Sequence, residues 1–118
     1  CQVTGVQTCA LPIYILVHDK YPYVRAAVAE YGRYKDLDIL VNDQSTYVRE
    51  AVAKHGRSSD LDVLVNDKDK DIRSEVTSCG RDKDLDILVN DKDDLVRVAV
   101  ARRGRYRDLD FLIYEEDD

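Results

Sequence analysis

The hexapeptide NDKDKD places Asp67, Asp69 and Asp71 at alternating positions, as at the start of a calcium-binding loop. Such a loop needs a glycine at its sixth position for the turn and a bidentate glutamate at its twelfth. Counted from Asp67, these positions hold Ile72 and Ser78. The pattern therefore favours helix capping by exposed carboxylates, and we expect neither a bound metal nor any other cofactor.

The remaining reactive side chains do not form a catalytic pattern. The spacing of serine, cysteine and carboxylate residues relative to His18 and His55 does not suggest a catalytic triad. The cysteines Cys1, Cys9 and Cys79 lack the CxxC spacing of zinc, iron-sulfur and redox sites. The sequence also lacks a glycine-rich phosphate loop. We therefore expect free thiols in a reducing cytosol and a protein that is not an enzyme.

A basic segment near the end of the chain suggests a different partner. RRGRYR, at 102–107, combines arginines with a tyrosine, a composition that suits single-stranded nucleic acid through charge and base stacking. However, its Gly104 and Arg105 recur as a Gly-Arg pair every 24 residues, and arginines near a helix C-terminus complement the helix dipole. The formal net charge of -6 also disfavours binding to polyanions. Nucleic acid is therefore a weaker prediction than protein as a partner.

The elements that carry these residues follow a period of 24 residues. The segment LDILVND begins at Leu37, recurs at Leu85, and occurs as LDVLVND at Leu61. Four full copies and a partial fifth fill the sequence from residue 14 to its end, which indicates one structural unit repeated in space. Two charged columns keep the same register: an aspartate column of Asp19, Asp43, Asp67 and Asp91, and an arginine column of Arg25, Arg49, Arg73 and Arg97.

Each copy carries the signals of one longer helix of about ten residues. In the second copy Ser45 is a predicted N-cap, and a stripe at i, i+3, i+4 and i+7 runs from Val48 to His55. Gly56 then provides the left-handed residue that commonly ends a helix. The residues expected to start the other long helices are Pro22, Asp69 and Asp93.

A shorter element is predicted to follow Asp60, which can cap it, with Leu61, Leu64 and Val65 on one side. Only about one and a half turns fit before Asn66, so a partly 3₁₀ conformation is expected. Helices shorter than roughly a dozen residues are marginal in water. Stability must therefore come from stacking of apolar faces, and the predicted fold class is an all-α solenoid in which each copy covers the next.

The repeated phrase "D…VR.AVA..GR..DLD.LV.D" resembles the short HEAT-like repeats of bacteria, and its 24-residue period is similar to that of the leucine-rich repeat variant family. The resemblance covers Tyr14 to Asp118. It implies a right-handed α-α superhelix of alternating longer α-helices and short α or 3₁₀ helices, used for scaffolding and binding. An iron-sulfur cluster is known in the variant family from a cysteine-rich segment ahead of the repeats, and no such segment occurs here.

A leucine-rich repeat horseshoe is the alternative fold, with LDILVN as a strand followed by an asparagine turn. Counted from Leu37, the usual LxxLxLxxN spacing would place the asparagine three residues after the position of Asn42, so this alternative is the weaker one.

The chain divides into two segments by origin. Residues 1–13 resemble a translated sequencing adapter and are expected to be non-native, while 14–118 form the repeat domain, expected to be a piece of a longer bacterial or phage protein from a metagenome. The apolar stretch from Cys9 to Val17 is too short to span a bilayer and lacks the basic start of a secretion signal. We therefore expect a cytoplasmic protein that does not enter membranes.

The aspartate and arginine columns have two interpretations. They are predicted to form a structural ladder between copies, in which each aspartate caps amides or meets an arginine of the adjacent copy. The alternative is a charged track on the surface that binds a ligand. A structural ladder predicts that loss of one member destabilises the fold, because a stranded buried charge is costly.

The freely varying positions of the longer helix are the predicted partner-binding residues: Tyr23, Tyr47, Glu50, Lys54, Asp71, Leu95, Val98 and Arg102. They fall at i, i+3 and i+7 on one side of each helix, so stacking would align them into one surface. Exposed aromatic and apolar side chains favour protein interfaces, although these positions could also vary because nothing constrains them. The expected function is a noncatalytic protein-binding scaffold with a protein or peptide partner. The alternatives are a nucleic-acid-binding module and a regulatory repeat domain of a larger enzyme.

Overall fold

The computed structural model describes residues 15–31 and 33–103. The adapter-like segment at 1–13, the partial fifth copy from Leu109 and the segment at 104–107 lie outside the described residues. The predictions made for those segments, and for the cysteines Cys1 and Cys9, therefore stay predictions.

Four longer helices alternate with three shorter ones along the described residues. The longer helices are α1 (Pro22–Tyr31), α3 (Thr46–His55), α5 (Lys70–Thr77) and α7 (Asp94–Arg103). The shorter helices are α2 (Tyr34–Leu40), α4 (Ser58–Leu64) and α6 (Asp82–Leu88). The described residues contain no strand, so the all-α prediction is confirmed. A strand at LDILVN is wrong for the described copies, because Leu37, Leu61 and Leu85 all lie inside helices.

The long helices begin at the residues that the sequence predicts, and α3 also ends where predicted. The expected end at the glycine column is wrong for α5, which ends at Thr77 with Ser78 as its C-cap, before Gly80. The Ser45 hydroxyl accepts a hydrogen bond from the backbone N–H of Tyr47 at 3.2 Å, and the Asp69 carboxylate accepts one from Asp71 at 2.7 Å. Pro22 is the first residue of α1, where its missing N–H has no cost. Gly56 follows α3 with a φ of 81°, the left-handed conformation that ends a helix. The capping predictions are confirmed at these positions.

The short helices begin earlier than predicted. The N-cap of α4 is Arg57, so Asp60 is the third helical residue and not the cap. The equivalent Asp36 accepts a hydrogen bond from the backbone N–H of Arg33 at 3.1 Å, which is half of a capping box. The start was mispredicted because an acidic residue suits the first turn of a helix as well as its cap. The short helices are also α-helical over seven residues, so the partly 3₁₀ expectation is wrong for these segments.

The core lies between the long and the short helices. Pairs of leucines from the short helices, such as Leu61 and Leu64, are completely buried, and so are Val48 and Val52 from α3. Each long helix packs against the next long helix in the chain, α1 with α3, α3 with α5, and α5 with α7. Each short helix packs against the long helices before and after it. One side of every long helix is therefore left free of short helices, and that side carries the varying positions.

Candidate partner-binding face

The arginine column binds the aspartate column of the following copy. In each of the three described pairs the guanidinium Nε donates to Oδ2 of an aspartate 18 residues later at 2.8 Å, and Nη2 donates to Oδ1 at 3.1 to 3.3 Å. These pairs are Arg25 with Asp43, Arg49 with Asp67, and Arg73 with Asp91. Two parallel bonds of this kind form the strong, planar geometry that arginine and carboxylate favour.

Each arginine also donates a hydrogen bond to a backbone carbonyl oxygen of its own copy. Nη1 of Arg49 donates to the backbone carbonyl oxygen of Asp43 at 2.7 Å, and Nη1 of Arg73 donates to that of Asp67 at the same distance. Arg97 makes the equivalent bond to Asp91 at 2.5 Å, and the position 18 residues after Arg97 lies outside the described residues. The arginines and aspartates of these three pairs therefore bind each other within the chain.

The pKa shifts of Arg73 and Asp91 agree with the geometry of their pair. The hydrogen bond to Asp91 raises the pKa of the Arg73 guanidinium, although burial opposes the rise. Burial by itself would raise the pKa of the Asp91 carboxyl, but the hydrogen bonds from Arg73 and from the backbone N–H of Asp93 outweigh it and lower that pKa. Both side chains of this pair are only 8% exposed. The ionised forms of both partners are therefore favoured in the folded chain.

A second set of ion pairs was not predicted from the sequence. Arg57 binds Asp60 of its own short helix, with Nη2 to Oδ1 at 2.8 Å, and also binds Asp38 of the preceding short helix. Arg81 repeats the arrangement with Asp84 and with Asp62, at 2.7 and 2.9 Å. The signal was present in the sequence, because an arginine follows each glycine and two aspartates flank each DLD leucine. The pairs with Asp38 and Asp62 were missed because these partners lie 19 residues away in the chain.

The predicted partner-binding residues all lie along three neighbouring grooves between successive long helices. The first groove, between α1 and α3, contains Tyr23, Glu30, Tyr47, Glu50, Lys54 and His55. The second groove, between α3 and α5, contains Tyr47, Glu50, Asp69, Asp71, Ser74 and Glu75. The third groove, between α5 and α7, contains Ser74, Ser78, Leu95, Val98, Arg102 and Arg103. Their volumes of about 410, 550 and 590 Å³ suit a few side chains each.

Two exposed tyrosines bridge α1 and α3 at the first groove. The rings of Tyr23 and Tyr47 have centroids 5.3 Å apart and planes inclined by 41°. Their side chains are 68% and 55% exposed, respectively. Because the two rings hold each other in place while their outer faces stay open, they can contact a partner at little further cost in side-chain entropy.

The electrostatic character of the face changes along its length. In the second groove Glu50, Asp69, Asp71 and Glu75 are its charged lining residues, and all are acidic. Burial raises the pKa of the Glu75 carboxyl, and the nearby charge of Glu50 adds to the rise, whereas Lys54 opposes it. The third groove instead combines the exposed aliphatic side chains of Leu95 and Val98 with two arginines.

One repeated position lines the grooves but is not among the predicted partner-binding residues. Ala51 lies in the apolar stripe predicted from Val48 to His55, but it is only partly buried and lines the first groove. Its equivalents Ala27, Glu75 and Ala99 also line grooves. The appearance of a glutamate among alanines was the available signal, because a position that accepts both is not a packed core position.

A second exposed apolar row lies on the short helices and was not singled out from the sequence. Ile39, Val63 and Ile87 recur at the same position of three copies and are 44%, 47% and 51% exposed. The repetition of an apolar residue at one position suggested burial, but the neighbouring leucines already fill the core side of each short helix. This row offers a matched comparison surface away from the three grooves.

The residues considered for metal and thiol chemistry have protein contacts. Asp67 binds Arg49, and Asp69 caps α5, so these two carboxylates of NDKDKD serve the fold. Within residues 15–31 and 33–103, no group of three or more histidine, cysteine or acidic side chains is placed to hold a metal ion. Burial raises the pKa of the Cys79 thiol, whose Sγ lies 3.5 Å from the carbonyl oxygen of Ala53.

Of the basic segment RRGRYR, the described part is Arg102 and Arg103 at the end of α7. None of the described helices has the length and apolar character required to cross a bilayer. Models of known protein families, curated proteins and solved structures give no significant match to this chain.

Proposed function

We propose that this chain is a cytoplasmic, noncatalytic scaffold whose long-helix face binds an extended segment of a partner protein. One observation carries the proposal: the three grooves are contiguous. The first and second grooves share Tyr47 and Glu50, and the second and third share Ser74 and Ser78. The eight varying positions therefore belong to one surface and not to scattered exposed sites.

The proposed architecture is a right-handed α-α solenoid of 24-residue helical repeats, similar to HEAT-like proteins. Support comes from the order in which the long helices pack, each against the next in the chain. The Arg-to-Asp pairs add support, because three of them recur with the same separation of 18 residues and the same Nε to Oδ2 distance. Recurring contacts between adjacent units are what holds a solenoid together.

The dimensions of this surface suggest the length of the partner segment. Packed helices lie about 8 to 10 Å apart, so the steps from α1 to α7 span about 27 Å. An extended chain advances about 3.3 Å per residue, so about eight residues would cover the face. A segment of this length suits a peptide with a few anchoring side chains, one or two for each groove.

The test is selection of random 12-residue peptides, displayed on phage, against the immobilised chain. We expect selected peptides to lose binding to a Tyr47→Ala, Leu95→Ala double variant. They should keep binding to the matched Val63→Ala, Ile87→Ala double variant, which alters the exposed row on the short helices. The proposal is wrong if no selected peptide depends on Tyr47 and Leu95, or if binding depends on Val63 and Ile87 instead.

A further inference from the structure

We infer that the partner segment is basic at one end and aliphatic at the other, with lysine or arginine side chains over the first and second grooves and aliphatic side chains over the third. The inference rests on the proposed function and specifies the chemical class of the partner. It follows from the different charges and side-chain types that the three grooves present.

The charged side chains that line the second groove are all acidic. Its lining contains Glu50, Asp69, Asp71 and Glu75 and no lysine or arginine. Lys54, in the neighbouring first groove, approaches Glu50 only to 4.0 Å, with side chains 62% and 41% exposed, which is a weak surface pair. Four carboxylates beside one exposed lysine repel each other, so a cationic side chain in this groove relieves that repulsion.

The tyrosines add a second reason to expect a cation. Tyr47 lies in both the first and the second groove, and its ring is held against that of Tyr23. A lysine ammonium or an arginine guanidinium is attracted to the face of an exposed aromatic ring. Because Glu50 lines the same two grooves, one cation there could contact a ring and a carboxylate together.

The third groove favours an aliphatic side chain of the partner over a cationic one. Leu95 and Val98 are 57% and 42% exposed and lie beside Ala99, so they offer an apolar contact surface for an aliphatic side chain. Arg102 and Arg103 line the same groove and repel a cation. One helix step corresponds to about three extended residues, so the basic and aliphatic parts of the partner should lie within about six residues of each other.

The test uses two fluorescein-labelled decapeptides and fluorescence anisotropy at low salt. The first peptide has three lysines at alternating positions followed by two leucines, and the second replaces the lysines with glutamines. We expect the lysine peptide to bind about tenfold more tightly than the glutamine peptide, because only the former complements the acidic second groove. Equal dissociation constants for the two peptides would overturn the inference.

Matched variants distinguish binding of the lysine peptide at the second groove from nonspecific attraction to an acidic protein. The double variant Glu50→Gln, Glu75→Gln should weaken the lysine peptide by about threefold to tenfold and leave the glutamine peptide unchanged. The control Asp38→Asn, Asp62→Asn removes the same number of charges from exposed positions of α2 and α4 and should change neither dissociation constant by more than about twofold. An equal effect of the two double variants would show nonspecific attraction and refute the inference. Circular dichroism of each variant checks that the helices persist.

The random-peptide selection distinguishes this inference from the broader proposal. If the selected peptides depend on Tyr47 and Leu95 but contain no lysine or arginine, the charge inference fails and the scaffold proposal stands. If no selected peptide depends on those two residues, the scaffold proposal itself fails.

Discussion

The guanidinium group of Arg49 donates hydrogen bonds to both carboxylate oxygens of Asp67, which lies 18 residues later in the chain. The same carboxylate accepts a bond from the backbone N–H of Asp69 at 2.9 Å, in the turn that precedes α5. Arg49 lies in α3, so this pair connects one long helix to the start of the next. Because both side chains are 8% exposed, the pair is shielded from water and its loss should be costly.

Replacement of Arg73 by alanine should destabilise the chain far more than replacement of Lys70. Arg73 is nearly buried and its loss strands the Asp91 carboxylate, whereas Lys70 is exposed at the start of α5. We expect a loss of about 3 kcal/mol in the free energy of unfolding for Arg73→Ala and less than about 0.5 kcal/mol for Lys70→Ala. Urea unfolding measures both. Similar losses in the two variants would contradict a structural role for the arginine column.

A double-mutant cycle gives a sharper test of the same pair. Arg73→Ala leaves Asp91 unpaired. In that variant, Asp91→Ala should lower the free energy of unfolding by less than it does in the unaltered chain, and the coupling energy should exceed about 1 kcal/mol. Additive effects would show that the contact contributes little.

Acid should weaken the fold partly through Asp91. Its pKa in the folded chain lies below the ordinary value of 3.8. The ionised carboxylate therefore contributes stability that is fully present above the unfolded pKa and is lost as the pH falls through the lower folded pKa. Urea unfolding between about pH 6 and about pH 2 should show this loss below about pH 4. The variant Asp91→Asn should have a lower free energy of unfolding at about pH 6 and should lose less of it on acidification. If the pH dependence of the variant equals that of the unaltered chain, Asp91 does not contribute to acid destabilisation.

The end of α3 requires a left-handed residue at position 56. Gly56 has a φ of 81°, and a Cβ atom there would lie 3.4 Å from Sγ of Cys79, which is a tolerable contact. Gly56→Ala should therefore cost about 1 kcal/mol, mainly from backbone strain. Gly56→Asn adds the same Cβ atom but tolerates this conformation better, so it should cost less. Thermal unfolding measures the stability of both variants. Equal losses of stability would indicate that the Cβ contact, and not backbone strain, causes the destabilisation.

Neighbouring positions in α4 should respond differently to truncation. Leu64 is fully buried, whereas Val63 is 47% exposed. Leu64→Ala should cost about 3 kcal/mol because it opens a cavity between α4 and the long helices. Val63→Ala should cost less than about 1 kcal/mol. A large effect of Val63→Ala would mean that the exposed row on the short helices is covered by a partner, a second copy of the chain included.

Much of the local structure could be predicted from the sequence. Ser45 and Asp69 cap long helices as expected, because a cap depends on residues two or three positions away in the same chain. The start of the short helices was mispredicted, because Asp60 is a chemically reasonable cap that the structure uses at the third helical position. The candidate face was predicted in outline, while Ala51 and Glu75 were added by the geometry of the grooves.

The sequence by itself determined that this protein is helical, that its residue pattern has a period of 24 and which positions of each long helix vary. Those properties follow from residues close together in the chain. Only the tertiary structure decided that Arg57 reaches back to Asp38, that Ile39 faces outward and that Tyr23 meets Tyr47. Each of these depends on the distance and rotation between successive helices. Packing of whole side-chain surfaces sets that relation, and no single stretch of residues encodes it.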